Sequence, residues 1–134
     1  MLEGNSFDTE LILNNDFATF SKVGDGPKKI IKSINKNYSR DHYYSFANPG
    51  EGFNYGCVRD PDWPNQRILE GGNAGDSIYY YLYEMYSSAR YGNYCLVIQK
   101  KTDSIFYWDF ATSPKVKSLD ALQRFMQQNP TPLK

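Results

Sequence analysis

The chain has one histidine and two cysteines among 134 residues, and these scarcities exclude more chemistry than any motif supplies. His42, Cys57 and Cys95 cannot furnish the usual tetrahedral zinc set. They form no CxxC redox step, and two cysteines do not make a disulfide scaffold. No stretch approaches the roughly 20 apolar residues that span a bilayer. The opening MLEGNSFDTELILNN lacks the basic start and apolar run of a secretory signal, so a cytoplasmic protein with reduced thiols is expected. A basic excess is missing too. Fifteen Lys and Arg balance fifteen Asp and Glu, which argues against a dedicated nucleic-acid binder. The glycines at 71, 72 and 75 are not followed by the Gly-Lys-Ser/Thr step of a phosphate cradle. Asp60-Pro61-Asp62 lacks the further ligands of a calcium loop. No metal or cofactor is expected.

What the chain has in excess is aromatic rings. Twelve Tyr, eight Phe and two Trp make up 16% of the residues. Tyrosine combines an apolar ring with a polar tip, so it serves equally in a half-buried sheet and on a partner-binding surface. The neutral charge also conceals a polarity. Residues 22–40 hold six bases against one acid, whereas residues 51–84 hold six acids against two bases. Such a distribution steers a charged partner or simply solvates a helix face beside acidic loops.

The length fits one domain over 1–134, and the pattern of elements predicts an α+β class: a mainly antiparallel sheet of about four to six strands packed by two or three helices. Glu10–Leu13 reads as a short first strand. Asp25 or Gly26 caps a helix with Pro27 in its first turn; Ile30, Ile31, Ile34 and Tyr38 form its apolar face. Residues 42–47 and 53–58 read as a hairpin around the turn cluster 48–52. Two prolines keep 59–65 irregular, and 71–75 reads as a second loop. Between Ser77 and Arg90, the spacing of Ile78, Tyr81, Leu82, Met85 and Ala89 together with a stop at Gly92 predicts a helix, although the tyrosine run favours a strand. Tyr94–Gln99 and Ser104–Phe110 form a hairpin, and Ser118 caps a last helix with Leu119, Leu122, Phe125 and Met126 inward.

Catalysis finds little footing. His42 approaching Cys57 across the expected hairpin would make a nucleophile and base, but no signature surrounds either residue. Cys95, inside an apolar run, reads as buried and inert. Trp63 is a large ring on a loop, folded back onto the core by default or offered to a partner. An aromatic platform for sugars or bases is a further alternative.

The order Gly92-Asn93-Tyr94-Cys95-Leu96-Val97-Ile98, then Ser104-Ile105-Phe106-Tyr107-Trp108-Asp109, then Lys117-Ser118-Leu119-Asp120-Ala121-Leu122-Gln123-Arg124-Phe125-Met126 resembles the end of the SUKH superfamily. The resemblance is confined to residues 92–126, the C-terminal part of the chain. It implies a small cytoplasmic bacterial immunity protein that binds and blocks a cognate polymorphic toxin, a role needing no catalytic residue. A basic nuclease toxin suits the acidic, aromatic stretch, so Asp60, Asp62, Trp63, Glu70, Asp76, Tyr79 and Tyr83 are the expected partner-binding residues.

Overall fold

The computed structural model describes residues 7–37, 44–56, 60–87 and 90–129. His42, Cys57 and Tyr38 lie outside them, as do the His42–Cys57 pairing and the ends of the segments expected to carry it. The elements run α1 (Glu10–Leu13), β1 (Ala18–Phe20), a 3-10 turn (Val23–Asp25), α2 (Lys28–Asn37), β2 (Phe46–Ala47), β3 (Gln66–Ala74), β4 (Ile78–Ser87), β5 (Arg90–Lys100), β6 (Ile105–Ala111) and α3 (Leu119–Gln128). Strands β1, β3, β4, β5 and β6 lie side by side in that order, each antiparallel to its neighbours. The short β2 adds a parallel pairing to β3 through Phe46 and Ala47 opposite Gln66 and Arg67. Helices cover both faces of this α+β sheet. None of the described helices is long and apolar enough to cross a membrane.

One face packs Ile68, Tyr81, Tyr83, Met85, Leu96, Ile98 and Tyr107 beneath Ile31 and Ile34 of α2. The other packs Tyr80, Leu82, Cys95, Val97 and Phe110 beneath Ile12 of α1 and Leu122 and Met126 of α3. Each fully buried aliphatic side chain contributes roughly 1.5–3 kcal/mol. The Pro27 carbonyl accepts from the amides of Ile30 and Ile31, so the proline sits at the helix start as its fixed φ and missing N–H favour. Ser118 Oγ accepts from the amide of Ala121 at 3.3 Å and caps α3.

Four local expectations are overturned. The helix expected between Ser77 and Arg90 is a strand: β4 occupies Ile78–Ser87, and every residue from Tyr80 to Met85 is buried. A strand covered on both faces reads as a continuous apolar run, and such a run satisfies a helical template by default. Gly71 and Gly72 belong to β3 rather than to a loop, because rings replace the side chains they lack. A Cβ on Gly71 would lie 2.3 Å from the Phe20 ring, and one on Gly72 2.4 Å from the Tyr80 ring. The chain turns instead at Gly75, whose φ of +60° a side chain rarely adopts. Glu10–Leu13 is a single helical turn, begun where Asp8 Oδ1 accepts from the Glu10 amide at 3.0 Å. The hairpin expected around residues 48–52 is replaced by the pairing of β2 with β3, and residues 53–56 form no strand.

Candidate functional site

The large exposed apolar side chains among the described residues are Tyr55 (62% exposed), Trp63 (52%) and Tyr91 (39%). All three stand at the end of the sheet where β3 begins, β4 ends and β5 starts. Three tyrosine rings meet there. Tyr55 lies 5.2 Å from Tyr91 and 5.8 Å from Tyr86, and Tyr86 faces Tyr91 across the β4–β5 ladder. The Phe53 ring leans edge-on against Tyr55 at 5.8 Å. Trp63 stands at the same end, three residues before β3: its ring covers Gly52, where an added Cβ would come within 3.0–3.2 Å of it. The ring therefore rests on the neighbouring loop while half of it faces solvent.

A charged pair supports this surface from below. Glu84 of β4 is buried, and its carboxylate accepts from Arg67 Nε at 2.8 Å and from the Tyr91 hydroxyl. Arg67 Nη1 also donates to the Glu51 carbonyl at 3.1 Å, and its guanidinium lies 4.6 Å over the Phe53 ring. The phenol of Tyr91 is pushed up by burial and by its hydrogen bond to Glu84, so it remains a donor.

Asn54 organises the irregular segment that carries these rings. Its Nδ2 reaches the carbonyls of Asp60 and Trp63 at 3.0 and 3.1 Å and Asn65 Oδ1 at 2.8 Å. Its Oδ1 accepts from the Asp60 amide at 2.8 Å, and its own amide donates to the Pro64 carbonyl at 2.8 Å. The side chain is buried, so removing it orphans several groups at once. Asn54→Ala is expected to cost about 2–3 kcal/mol in urea unfolding and to open residues 51–65 to protease. A variant with native stability and native protease resistance would show that the loop is held some other way.

The seven residues expected to bind a partner separate into three groups. Asp60, Asp62 and Trp63 share the loop at this end, and both carboxylates are exposed. Asp60 Oδ1 accepts from the Asp62 amide at 2.9 Å, which fixes the turn without neutralising the charge. Asp76 and Tyr79 lie at the opposite end of β3, across a strand of nine residues or about 30 Å. Tyr79 is half-buried there and donates to the Asp76 carbonyl at 3.3 Å. Glu70 and Tyr83 serve the interior. Glu70 Oε1 accepts from the Tyr80 hydroxyl at 2.9 Å and from the Leu119 amide at 2.6 Å, so its charge meets the first turn of α3. Tyr83 has no exposed surface, and its hydroxyl donates to Asp109, as does that of Tyr44 at 2.8 Å.

Tyr55 and Tyr91 belong to this surface, with Phe53 and Arg67 beneath it, and none of the four was among the expected residues. Tyr55 carried the same signal as Trp63, a large ring among turn residues, but the strand expected over 53–58 concealed it. Tyr91 falls between the end of the expected helix at Arg90 and its stop at Gly92, where no element was expected.

Chemistry is sparse across the described residues. Cys95 is fully buried, and burial raises its thiol well above the ordinary range, so it is no nucleophile. Among the described residues no three His, Cys, Asp or Glu side chains group to hold a metal ion. Among the described residues, the buried side-chain polar atoms that lack a hydrogen-bond partner are Tyr81 Oη, against Gly26, and Asn93 Oδ1. The chain matches no protein-family model, no curated protein and no solved structure.

Proposed function

We propose that this protein is an immunity protein that binds a cognate bacterial toxin in the cytoplasm and occludes its active or substrate-binding surface. The observation that carries the reading is the convergence of Trp63, Tyr55 and Tyr91 on one end of the sheet. Exposed aromatic anchors beside a charged rim are how stoichiometric binders concentrate their affinity. The scaffold beneath is stiff, since Asn54 and the Arg67–Glu84 pair hold the rings before any partner arrives. Preorganisation of this kind reduces the ordering cost of association. The stretches that resemble the SUKH superfamily fall on β5, β6 and α3, in the strand–strand–helix order that the resemblance implies.

Co-expression with the products of adjacent reading frames tests the reading. One of them is expected to arrest growth and this chain to restore it. Trp63→Ala and Tyr55→Ala should each weaken complex formation at least tenfold while leaving thermal unfolding within a few degrees. Rescue that survives the double variant would remove the aromatic end from the interface. A neighbourhood without any growth-arresting product would end the immunity reading itself.

A further inference from the structure

We infer that the partner lays an arginine-bearing, cationic segment across Trp63 and Tyr55. This inference deepens the docking reading above and rests on it. Three observations converge.

The first is uncompensated charge. Glu51, Asp60 and Asp62 lie on the same irregular stretches as Tyr55 and Trp63, are exposed, and make no ion pair among the described residues. Glu84 is already matched by Arg67. At this end the sequence supplies four acids, Glu51, Asp60, Asp62 and Glu84, against three bases, Arg59, Arg67 and Arg90. The surface therefore retains negative charge that an occupant can complement.

The second is that the same cluster already binds a guanidinium of its own. Arg67 stacks on Phe53 while donating to a carboxylate and to a backbone carbonyl. Stacking on a ring while donating sideways suits a planar, five-donor guanidinium better than an ammonium. Tyr55 and Trp63 present further ring surface outside Arg67, with carboxylates in the adjoining loop and no described cation over either ring.

The third is the distribution of bases. Lys22, Lys28, Lys29, Lys32 and Lys36 are exposed on α2 and the segment before it, whereas β3 to β5 carry the aromatic end. The overall charge is zero, so attraction at the aromatic end is local and dies within about 10 Å at moderate salt. A cation must touch this end to be selected by it.

The test uses the full chain, labelled for amide NMR, and a blocked hexapeptide alternating arginine and glycine. Shifts are expected at residues 51–55, 60–67 and 91 and at the Trp63 indole. A lysine peptide should bind several-fold more weakly, and a glutamate peptide should leave these signals unmoved. Raising the salt from about 20 to about 200 mM should weaken the arginine peptide about fivefold to tenfold. The combined variant Glu51→Gln, Asp60→Asn, Asp62→Asn keeps every side-chain acceptor oxygen that holds the loop and removes only charge. It should weaken the peptide about fivefold and flatten the salt dependence. No shifts with the arginine peptide, shifts confined to another surface, or equal binding by the glutamate peptide would overturn the inference. The docking reading fails separately. Complex formation that depends on Trp63 and Tyr55 yet ignores salt and the amide variant keeps the docking surface and discards the cationic partner. Complex formation indifferent to both rings discards the surface.

Discussion

Replacing Gly72 with alanine is expected to destabilise the protein by about 3 kcal/mol or more, lowering the melting temperature by about 10 °C. The added methyl would sit 2.4 Å from Cε1, 2.9 Å from Cζ and 3.0 Å from the hydroxyl of Tyr80. That ring has nowhere to go. Tyr80 is fully buried, its hydroxyl donates to Glu70, and Phe17 meets it edge-on at 5.1 Å. Glu70 in turn accepts from the first turn of α3, so a displaced Tyr80 would disturb β3, β4 and α3 together. Gly24→Ala is the matched control, since its nearest foreign atom is the tip of Lys28 at 3.9 Å. Thermal melts of the two variants decide the matter. A Gly72 variant as stable as the Gly24 variant would show that the ring moves freely.

Alkali is expected to destabilise the protein from pH 10 upward and to unfold it cooperatively above about pH 11. Tyr80, Tyr81 and Tyr83 have no exposed surface, and burial raises all three phenols above their ordinary value of 10. Glu70 adds to the rise at Tyr80, and Asp109 adds to it at Tyr83. Above pH 10 the unfolded chain releases these protons and the folded chain keeps them. The folded state then binds more protons, so stability is whole below pH 10 and falls as pH rises toward the folded values. Each phenol contributes a slope of up to about 1.4 kcal/mol per pH unit, so the three together remove about 4 kcal/mol by pH 11. That is a large part of the 5–15 kcal/mol typical of a domain. Tyrosinate absorbance and circular dichroism should change in one transition, and Tyr80→Phe should flatten the slope by about a third. Ionisation of all twelve tyrosines while the dichroism stays native would refute the burial argument.

The parts of the fold that were legible have local causes. Pro27 with lysines opposite isoleucines makes α2 wherever it packs, and Ser118 starts α3 by capping it. Residues 94–99 and 104–110 turn back on each other through a polar tetrad that needs no distant help. Among the site residues, Asp60, Asp62 and Trp63 were legible because Pro61 and Pro64 forbid regular structure around them. The rest depends on partners far away in the chain. Gly71 and Gly72 hold a strand only because Phe20 and Tyr80 lie over them. Residues 78–87 become a strand because β3 and β5 hydrogen-bond both their edges, while α2 on one face and α1 and α3 on the other cover the rings.

The tyrosines show where that division falls. Composition alone made the chain neutral, aromatic and poor in catalytic groups, and local patterning placed two of its helices. Which rings fill the core and which face solvent was decided by tertiary pairing. Tyr83 and Tyr91 are chemically the same side chain on neighbouring strands, yet one is closed in by Phe46 and Tyr94 and the other stands at an open end. A ring's exposure depends on what covers it, and in this sheet the covering residues come from segments far apart in the chain.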